Sequence, residues 1–379
     1  MQKKLIFVAT LLSLPLAIMF FVRQTQHSQP VPIAPTAPVV INPPPPPLPE
    51  PPKEFTYEEA LASINAESIK KMVYYLASEE LEGRMSGKKG NVVAADYLKK
   101  EYDSYGLPTM YHRFTIDQLN SGPKREVGDD FTQNVYAWII GEDQNQIVVV
   151  GAHMDHIGYG PSMSRSRQIA VHPGADDNAS GTAALLAVAK AFSMLKGKLK
   201  RTIVFQSYSA EEMGLIGSRF YCNNPVFPLQ SPNINSHIFM LNYDMVGTLG
   251  SGEWSTGFYS GNSSLEISKY IRELDQKYSF AKDITSQGSG GSDHASFYNK
   301  RVPVAFLHTG LHSRYHTPAD KADTLNYEGI EKVAKYSFEL LWKVVQNQSY
   351  PAFNHEGFKE MEYTHDHGSG IEFHSYHKH

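Results

Sequence analysis

The chain has 379 residues, of which 41% are hydrophobic and 20% are charged, so it is long enough to bury a sizeable core. Its formal net charge is -4 at pH 7 with both signs mixed along the sequence, which argues against a nucleic-acid-binding surface. The single cysteine, Cys222, excludes an internal disulfide framework.

An apolar run near the N-terminus, residues 5–22, follows Lys3 and Lys4. A run of roughly 18 residues is long enough to span a bilayer, and the preceding lysines favour a cytoplasmic N-terminus. We therefore predict a membrane anchor in residues 1–23, with the rest of the chain outside the cytoplasm, in the periplasm or the extracellular space. A cleaved signal peptide, which would give a secreted protein, is the alternative, although residues 20–23 lack a small-residue cleavage pattern.

Composition separates both ends of the chain from its middle. Residues 24–54 are rich in proline and are predicted to be a linker, which would reach roughly 90 Å as polyproline II. Residues 351–379 are rich in Gly, Ser, Glu and His and are predicted to be a mobile polar tail. Weak zinc collection by the scattered imidazoles of this tail is the alternative. The folded catalytic domain is therefore predicted at 55–350.

Helical apolar spacing alternates with short β-branched runs through this domain. The predicted helices are 59–78, 91–105, 180–194, 264–278 and 327–345. The predicted strands are 134–140, 146–150, 202–207, 237–241 and 302–307. This alternation predicts an α/β fold: a three-layer domain with a central, mostly parallel mixed sheet flanked by helices.

Histidines and carboxylates cluster after the predicted strands. The clusters are Gly-Ala-His-Met-Asp at 151–155, Gly-Ala-Asp-Asp-Asn-Ala-Ser-Gly at 174–181, Ser-Ala-Glu-Glu-Met-Gly at 209–214, Asn-Tyr-Asp at 242–244 and Tyr-His-Thr-Pro at 315–318. Because ligands of open α/β sheets bind outside the carboxyl ends of the strands, these clusters are expected to converge. Imidazole with carboxylate favours zinc, and the set is larger than one catalytic zinc requires. Two zinc ions that share a carboxylate fit it better.

These five ordered motifs, together with Leu81-Glu82-Gly83-Arg84, carry a resemblance over roughly 76–345. The chain resembles the co-catalytic dizinc exopeptidases typified by the bacterial leucyl aminopeptidases. That family also includes glutamate carboxypeptidase and, with altered metal use, glutaminyl cyclase. The resemblance implies a phosphorylase/hydrolase-like zinc peptidase fold, two Zn²⁺ ions and peptide substrates.

The resemblance also implies a role for each motif residue. The implied metal ligands are His153 and Asp244 on one zinc, Glu212 and His316 on the other, and Asp177 on both. The implied catalytic residues are Glu211 as general base, Asp155 as the carboxylate that orients the site, and Tyr315 as the stabiliser of a tetrahedral oxyanion. Chemistry at a dizinc site needs one carboxylate that binds no metal and moves a proton. The residues alone do not say which glutamate this is, and the resemblance decides for Glu211.

Other polar residues are given structural interpretations. The histidines expected to be structural or exposed are His112, His156, His172, His237, His294, His308 and His312. The segment 157–173, with Arg165 and Arg167, is expected to be a solvated loop, with a wall of the substrate cleft as the alternative. Asp320 and Asp323 are expected in a turn, with support of the metal ligands as the alternative.

The leading functional prediction is a membrane-tethered zinc aminopeptidase that hydrolyses N-terminal residues of short peptides. The alternatives are a glutaminyl cyclase-like acyl transferase, a carboxypeptidase, and a non-catalytic binding ectodomain. Retention of the five predicted ligands and of Glu211 argues against a non-catalytic protein, because a binding module needs no base beside a metal. The sequence carries no readable code for side-chain specificity or oligomeric state.

Overall fold

The computed structural model describes residues 53–116, 131–250, 257–259, 263–279, 291–356 and 358. The unit to which these residues belong begins at Lys53. The predicted anchor, nearly all of the predicted linker and the tail beyond 358 lie outside the described residues. Among the helices that are described, none combines the length and the apolar character needed to cross a bilayer.

A seven-stranded mixed sheet forms the centre of the domain. Its strands are β1 (Thr109–Thr115), β2 (Phe131–Ile139), β3 (Asp143–His153), β4 (Arg201–Tyr208), β5 (His237–Tyr243), β6 (Gly257–Tyr259) and β7 (Val304–His308). They are ordered β1-β2-β4-β3-β5-β7-β6. The four inner strands β4, β3, β5 and β7 run parallel, while β1, β2 and β6 pair antiparallel at the edges. The predicted mixed sheet is confirmed.

Helices cover both faces of this sheet. They are α1 (Tyr57–Ser63), α2 (Ala66–Leu76), α3 (Lys89–Ser104), α4 (Gly181–Ser193), α5 (Ile216–Asn223), α6 (Leu265–Tyr278), α7 (His294–Tyr298) and α8 (Tyr327–Gln346). Alternate residues of β3 lie in two separate hydrophobic clusters: Val148 and Val150 face α4 and α8, whereas Ile147 and Val149 face α5 and α7. This period of two is what a strand buried on both faces requires, and it confirms the three-layer arrangement.

Several predicted boundaries differ from the observed ones. The predicted helix 59–78 is two helices, because Ile64 is extended and Asn65 caps α2 by accepting from the Ser68 N–H. Strands β1 and β6 were not predicted. Residues 351–356 and 358, expected in the polar tail, pack on the folded domain through Phe353 and Phe358 against Tyr298.

The parallel strands bring the predicted site residues to one edge of the sheet. Strand β3 ends at His153, β4 at Tyr208, β5 at Tyr243 and β7 at His308. The carboxyl ends of parallel strands in one sheet lie side by side. The residues that end or follow these strands therefore share one crevice although they are far apart in sequence.

Candidate metal centre

The structure brings all five predicted ligands together at this edge, in two neighbouring clusters. The first cluster is His153, Glu211 and Asp244, and the second cluster is His156, Asp177, Glu212 and His316. Within each cluster the candidate ligand atoms lie within 4.8 Å of one another. The roles of these residues as ligands stay predictions, but their convergence is a structural fact.

Asp177 lies between the two clusters and faces both. Its Oδ1 is 3.4 Å from Nε2 of His153, which is also 3.4 Å from Asp244 Oδ1. Its Oδ2 is 3.0 Å from Nε2 of His316, which is 3.1 Å from Glu212 Oε2. One carboxylate thus offers a separate oxygen to each histidine, as a bridging ligand would.

The donor set fits zinc. Ligands held at about 2.0–2.1 Å around a tetrahedral ion are about 3.3 Å apart, close to the separations measured here. Nε2 of His153 and Nε2 of His316 have no hydrogen-bond partner among the described residues, although each lies near two carboxylates. Each nitrogen therefore points between its carboxylates, where a cation would sit.

The other nitrogen of each of these two imidazoles is held by a backbone carbonyl. Nδ1 of His153 is 3.3 Å from the carbonyl oxygen of Asp155, and Nδ1 of His316 is 3.2 Å from that of Met163. A histidine that binds metal almost always donates its remaining N–H in this way. Both rings therefore have the backbone support that is usual for metal-binding histidines, and Nε2 of each ring faces the carboxylates.

Asp320 fixes the backbone that carries the shared carboxylate. Its side chain accepts the N–H of Asp176 at 2.9 Å and the N–H of Asp177 at 3.0 Å. Burial, followed by the charge of Asp176, raises the pKa of Asp320 to about 6. Asp176 in turn contacts His312 Nε2 at 2.9 Å. Of the two interpretations of Asp320, the structure thus favours support of the metal ligands, whereas Asp323 is exposed.

Arg84, from the Leu-Glu-Gly-Arg motif, joins the two loops that carry the site. Its buried guanidinium donates to the carbonyl oxygens of Met154 at 2.9 Å, Pro173 at 2.7 Å and Gly174 at 2.9 Å. Burial lowers the pKa of Arg84 to about 10, opposed by nearby carboxylates including Asp177. The side chain therefore remains charged at neutral pH and offsets part of the negative charge of the site.

The neighbouring glutamates have opposite electrostatic surroundings. The pKa of Glu211 is raised well above its usual range, mainly by burial. The positive charge of His153 opposes this increase, and the carboxylates of Asp244, Glu212 and Asp293 add to it. Burial also raises the pKa of Glu212, but His316 and His156 outweigh it and hold the net pKa well below its usual range. Glu211 therefore holds a proton more readily than Glu212, as a general base requires.

The side chain of Asp155 contacts the backbone of the predicted general base, Glu211, rather than the imidazole of His153. Its Oδ1 accepts the backbone N–H of Glu211 at 3.2 Å, whereas it is 3.8 Å from Nδ1 of His153. Burial raises the pKa of Asp155 to about 6. The predicted orienting carboxylate therefore acts on the backbone of Glu211, and its catalytic role stays a prediction.

Tyr315 lies against the second cluster. Its ring stacks on His316 with centroids 3.9 Å apart, and the guanidinium of Arg165 lies 4.6 Å from the Tyr315 centroid. Burial foremost, then the charges of Asp177 and Glu212, raise the pKa of Tyr315 well above its usual range. The phenol therefore keeps its proton and is a potential hydrogen-bond donor, while its role toward an oxyanion stays a prediction.

Two residues at the site were missed from the sequence. His156, interpreted as structural or exposed, places Nδ1 2.8 Å from Glu212 Oε1. Asp293 is fully buried and neither of its carboxylate oxygens has a hydrogen-bond partner among the described residues. Burial foremost raises the pKa of Asp293 to about 7. The available signals were position alone: His156 directly follows Asp155, and Asp293 lies in a Gly-Gly-Ser-Asp-His sequence.

Comparison with known proteins agrees with this geometry. The model of a family described as peptidase family M28 matches residues 134–341, which is more than half of the chain. A probable leucine aminopeptidase 2 of Arthroderma benhamiae is 32% identical over 262 residues, which cover 67% of this chain and 48% of that protein. Leupeptin-inactivating enzyme 1 of Streptomyces exfoliatus is 28% identical over 235 residues, covering 62% of this chain and 46% of that protein.

Solved structures show the same fold at low sequence identity. An aminopeptidase from Aneurinibacillus sp. strain AM-1 has a TM-score of 0.60 and 17% identity, covering 79% of this chain and 100% of that one. The glutaminyl cyclase of Porphyromonas gingivalis has a TM-score of 0.61 and 16% identity, covering 73% and 97%.

The chain spans about half the length of the curated relatives it matches. The match nevertheless includes the motif residues from His153 to His316. The resemblance on which the sequence analysis relied is confirmed, and the chain belongs to peptidase family M28.

Proposed function

We propose that this chain is an aminopeptidase that holds two zinc ions and removes N-terminal residues from short peptides. The observation that carries the proposal is the orientation of Asp177, with one oxygen toward His153 and the other toward His316. His153, Asp244 and Asp177 would hold the first ion, and Glu212, His316 and Asp177 the second. When bound, such ions polarise a carbonyl oxygen and lower the pKa of water.

Glu211 is the proton carrier in this proposal. It belongs to the first cluster but is not needed as a ligand, because His153, Asp244 and Asp177 already supply three donors. A buried carboxylate with a raised pKa takes a proton at neutral pH and can return it to the leaving amine. The hydrogen bond from the Glu211 N–H to Asp155 holds the base in place.

Tyr315 and Arg165 are assigned to the substrate side of the site. A protonated phenol beside His316 supplies a neutral hydrogen-bond donor for the charge that develops on the carbonyl oxygen. The backbone N–H of Arg165 donates to the carbonyl oxygen of His316 at 3.0 Å. The segment 157–173 therefore contacts the second cluster directly, which supports its interpretation as a wall of the cleft over a solvated loop.

The names of the relatives support aminopeptidase activity over the alternatives. Leucine aminopeptidases recur among the curated relatives, at 27–32% identity. A glutaminyl cyclase shares the fold, but fold likeness at 16% identity does not carry its reaction to this chain. The two complete donor sets around Asp177 favour a two-metal hydrolase.

A substrate panel with zinc analysis tests the proposed function. The panel contains a free dipeptide, its N-acetylated form, its C-terminal amide and a peptide that begins with Gln. We expect hydrolysis of the free dipeptide and of the amide, no cleavage of the N-acetylated form, and two zinc ions per chain. Cleavage that requires a free C-terminus would indicate a carboxypeptidase, and cyclisation of the Gln peptide without hydrolysis would indicate an acyl transferase.

We also propose that residues 1–23 anchor the protein to a membrane with the catalytic domain outside the cytoplasm. The support is the apolar run 5–22 after Lys3 and Lys4, followed by the proline-rich segment 24–54. Full-length protein is expected in the membrane fraction, and a protein that begins near Phe55 is expected in the soluble fraction with its activity retained. Mature protein that lacks the first 25 or so residues would instead identify a signal peptide.

A further inference from the structure

His156 adds a second imidazole to the second cluster, beside that of His316, and the catalytic assignment gives it no role. Its side chain is buried, with only 1% of its surface exposed. Nδ1 lies 2.8 Å from Glu212 Oε1 and 3.7 Å from Asp177 Oδ2. Glu212 therefore lies between two imidazoles, with Oε2 near His316 and Oε1 near His156.

Hydrogen-bond geometry separates these two imidazoles. Nδ1 of His156 has the distance and the direction of a hydrogen bond to Glu212. Nε2 of His316 has the distance to two carboxylates, but it has no hydrogen-bond partner among the described residues. His316 is therefore oriented toward a shared cation, and His156 toward one oxygen of Glu212.

The second nitrogen of each ring also distinguishes His156 from the predicted metal-binding histidines. His153 and His316 each have a backbone carbonyl to accept the N–H that a metal ligand carries on its other nitrogen. Nε2 of His156 is buried and has no partner in the part of the chain that the structure describes. If Nδ1 bound metal, Nε2 would carry the proton and would be a buried donor without an acceptor, which is costly. The proton therefore belongs on Nδ1.

The surroundings hold the ring in this position. The backbone N–H of His156 donates to the carbonyl oxygen of Arg84 at 3.3 Å. Gly174, with φ of 56°, packs against the ring so closely that a Cβ there would be 2.5 Å from the His156 ring atoms. The ring of His316 approaches it edge-on, with centroids 5.5 Å apart. Few orientations of the imidazole other than the observed one fit this space.

We propose that His156 is a positioning residue of the second zinc position: it donates Nδ1–H to Glu212 Oε1 and so directs Glu212 Oε2 toward the ion. This inference rests on the proposed zinc binding, but it does not depend on peptidase activity. Partners that orient a metal ligand typically change metal affinity by about 10- to 100-fold when they are removed.

Three substitutions of His156 test this role. The amide nitrogen of His156→Asn reaches the place of Nδ1 and can still donate to Glu212. The amide nitrogen of His156→Gln lies near the place of Nε2 and cannot donate to Glu212, so this variant is a matched polar control. His156→Ala removes the donor entirely. Circular dichroism and the melting temperature of chelator-treated protein would verify that each variant folds, and His237→Asn is the control for a buried histidine outside both clusters.

The measurement is zinc affinity at each position, by competition with a chromophoric chelator. We expect His156→Ala and His156→Gln to weaken one of the two zinc affinities by about 10- to 100-fold and to leave the other unchanged. His156→Asn should restore most of the loss. If His156→Asn and His156→Ala both fold and lose zinc affinity equally, His156 is a direct ligand. If His156→Ala keeps its zinc affinity, His156 has no role at this position. Either result overturns the proposal. If wild-type protein bound two zinc ions and cleaved no peptide, the proposed function would fail while this comparison remained decisive.

Discussion

The two clusters around Asp177 contain neighbouring glutamates that differ in their surroundings and not in their chemistry. Glu211 in the first cluster and Glu212 in the second are both buried, and burial alone raises the pKa of each. Glu212 faces the imidazoles of His316 and His156, which lower its pKa below the usual range. The carboxylates of Asp244, Glu212 and Asp293 lie near Glu211 and raise its pKa further, whereas His153 opposes them.

Under the proposed assignment, this difference lets the segment after one strand supply both a metal ligand and a general base. A metal ligand must remain ionised, whereas a general base must accept a proton near neutral pH. The charges that surround each carboxylate decide between these behaviours. The identity of the neighbouring side chains, and not the depth of burial, therefore separates the proposed roles of Glu211 and Glu212.

The largest effect is expected from substituting the base. Glu211→Gln should keep both zinc ions and the fold while losing proton transfer, a loss of about 10²- to 10⁴-fold in kcat. Glu212→Gln should instead weaken the second zinc position, so that added zinc restores part of the rate. Zinc content and kcat measured on both variants distinguish the two roles. Zinc loss in Glu211→Gln, with both ions retained in Glu212→Gln, would reverse the assignment.

The next effect concerns the histidine of each cluster. His153→Ala should empty the first zinc position and His316→Ala the second, because each substitution leaves only two of the three proposed ligands. Elemental analysis after gel filtration should find one zinc per chain in either variant. His112→Ala, which changes a half-buried histidine on β1, is the control and should retain two. Full activity with one zinc would contradict the two-metal proposal.

Both clusters should release protons when they bind zinc. Burial lowers the pKa of His316, but Glu212 and Asp177 outweigh it and raise the net value to about 10. Burial also lowers the pKa of His153, but Glu211 and Asp244 outweigh it and raise the net value well above the usual range. At a pH below these pKa values each imidazole carries an extra proton. Since zinc binds the neutral imidazole, each ion must displace that proton.

The sign of the pH dependence follows from this competition. Apparent zinc affinity should increase with pH by roughly tenfold per unit at each position between pH 6 and 8, because one proton is displaced per ion. Chelator competition at three pH values measures the slope, and a weakly buffered solution should acidify when zinc is added to chelator-treated protein. A flat profile at one position would show that its histidine is already neutral.

The convergence of the predicted ligands was predictable because the motifs follow strands whose continuous apolar character is readable. Val148 to Val150 gives the strand before His153, and Phe239 to Leu241 gives the strand before Asp244. The parallel pairing of those strands then brings their carboxyl ends together. Pattern and topology together were sufficient for this part of the site.

His156 was not predictable, because its role depends on which nitrogen carries a proton. That choice follows from the position of Glu212 and from the absence, among the described residues, of an acceptor for Nε2, neither of which is visible in sequence. Strand β1 was missed because an edge strand with a partly exposed face lacks a continuous apolar run. By contrast, the break before α2 was readable, since Asn65 is a favoured N-cap residue and its side chain accepts the backbone N–H of Ser68.

The smallest effect is expected from Asp320, which supports the residue that both clusters share. Asp320→Asn keeps one acceptor oxygen, which in the place of Oδ2 can accept both N–H groups, but its amide group, a donor, then faces the N–H of Asp176 in place of Oδ1, at a cost of about 1–3 kcal/mol. The substitution also removes a buried carboxylate, whose pKa burial has raised to about 6. Near neutral pH this carboxylate is ionised at a cost in stability, so its removal stabilises the fold and opposes the lost hydrogen bond. These opposing terms predict little change in the melting temperature.

Zinc affinity should nevertheless fall, because Asp320 holds the backbone of the bridging carboxylate. A decrease of about tenfold, the lower end of the usual range for such partners, is expected at both zinc positions alike. Chelator competition measures it, with the exposed Asp323→Asn as the matched control. Loss at only one position would show that Asp177 does not couple the two clusters, since a shared bridge cannot shift without changing both.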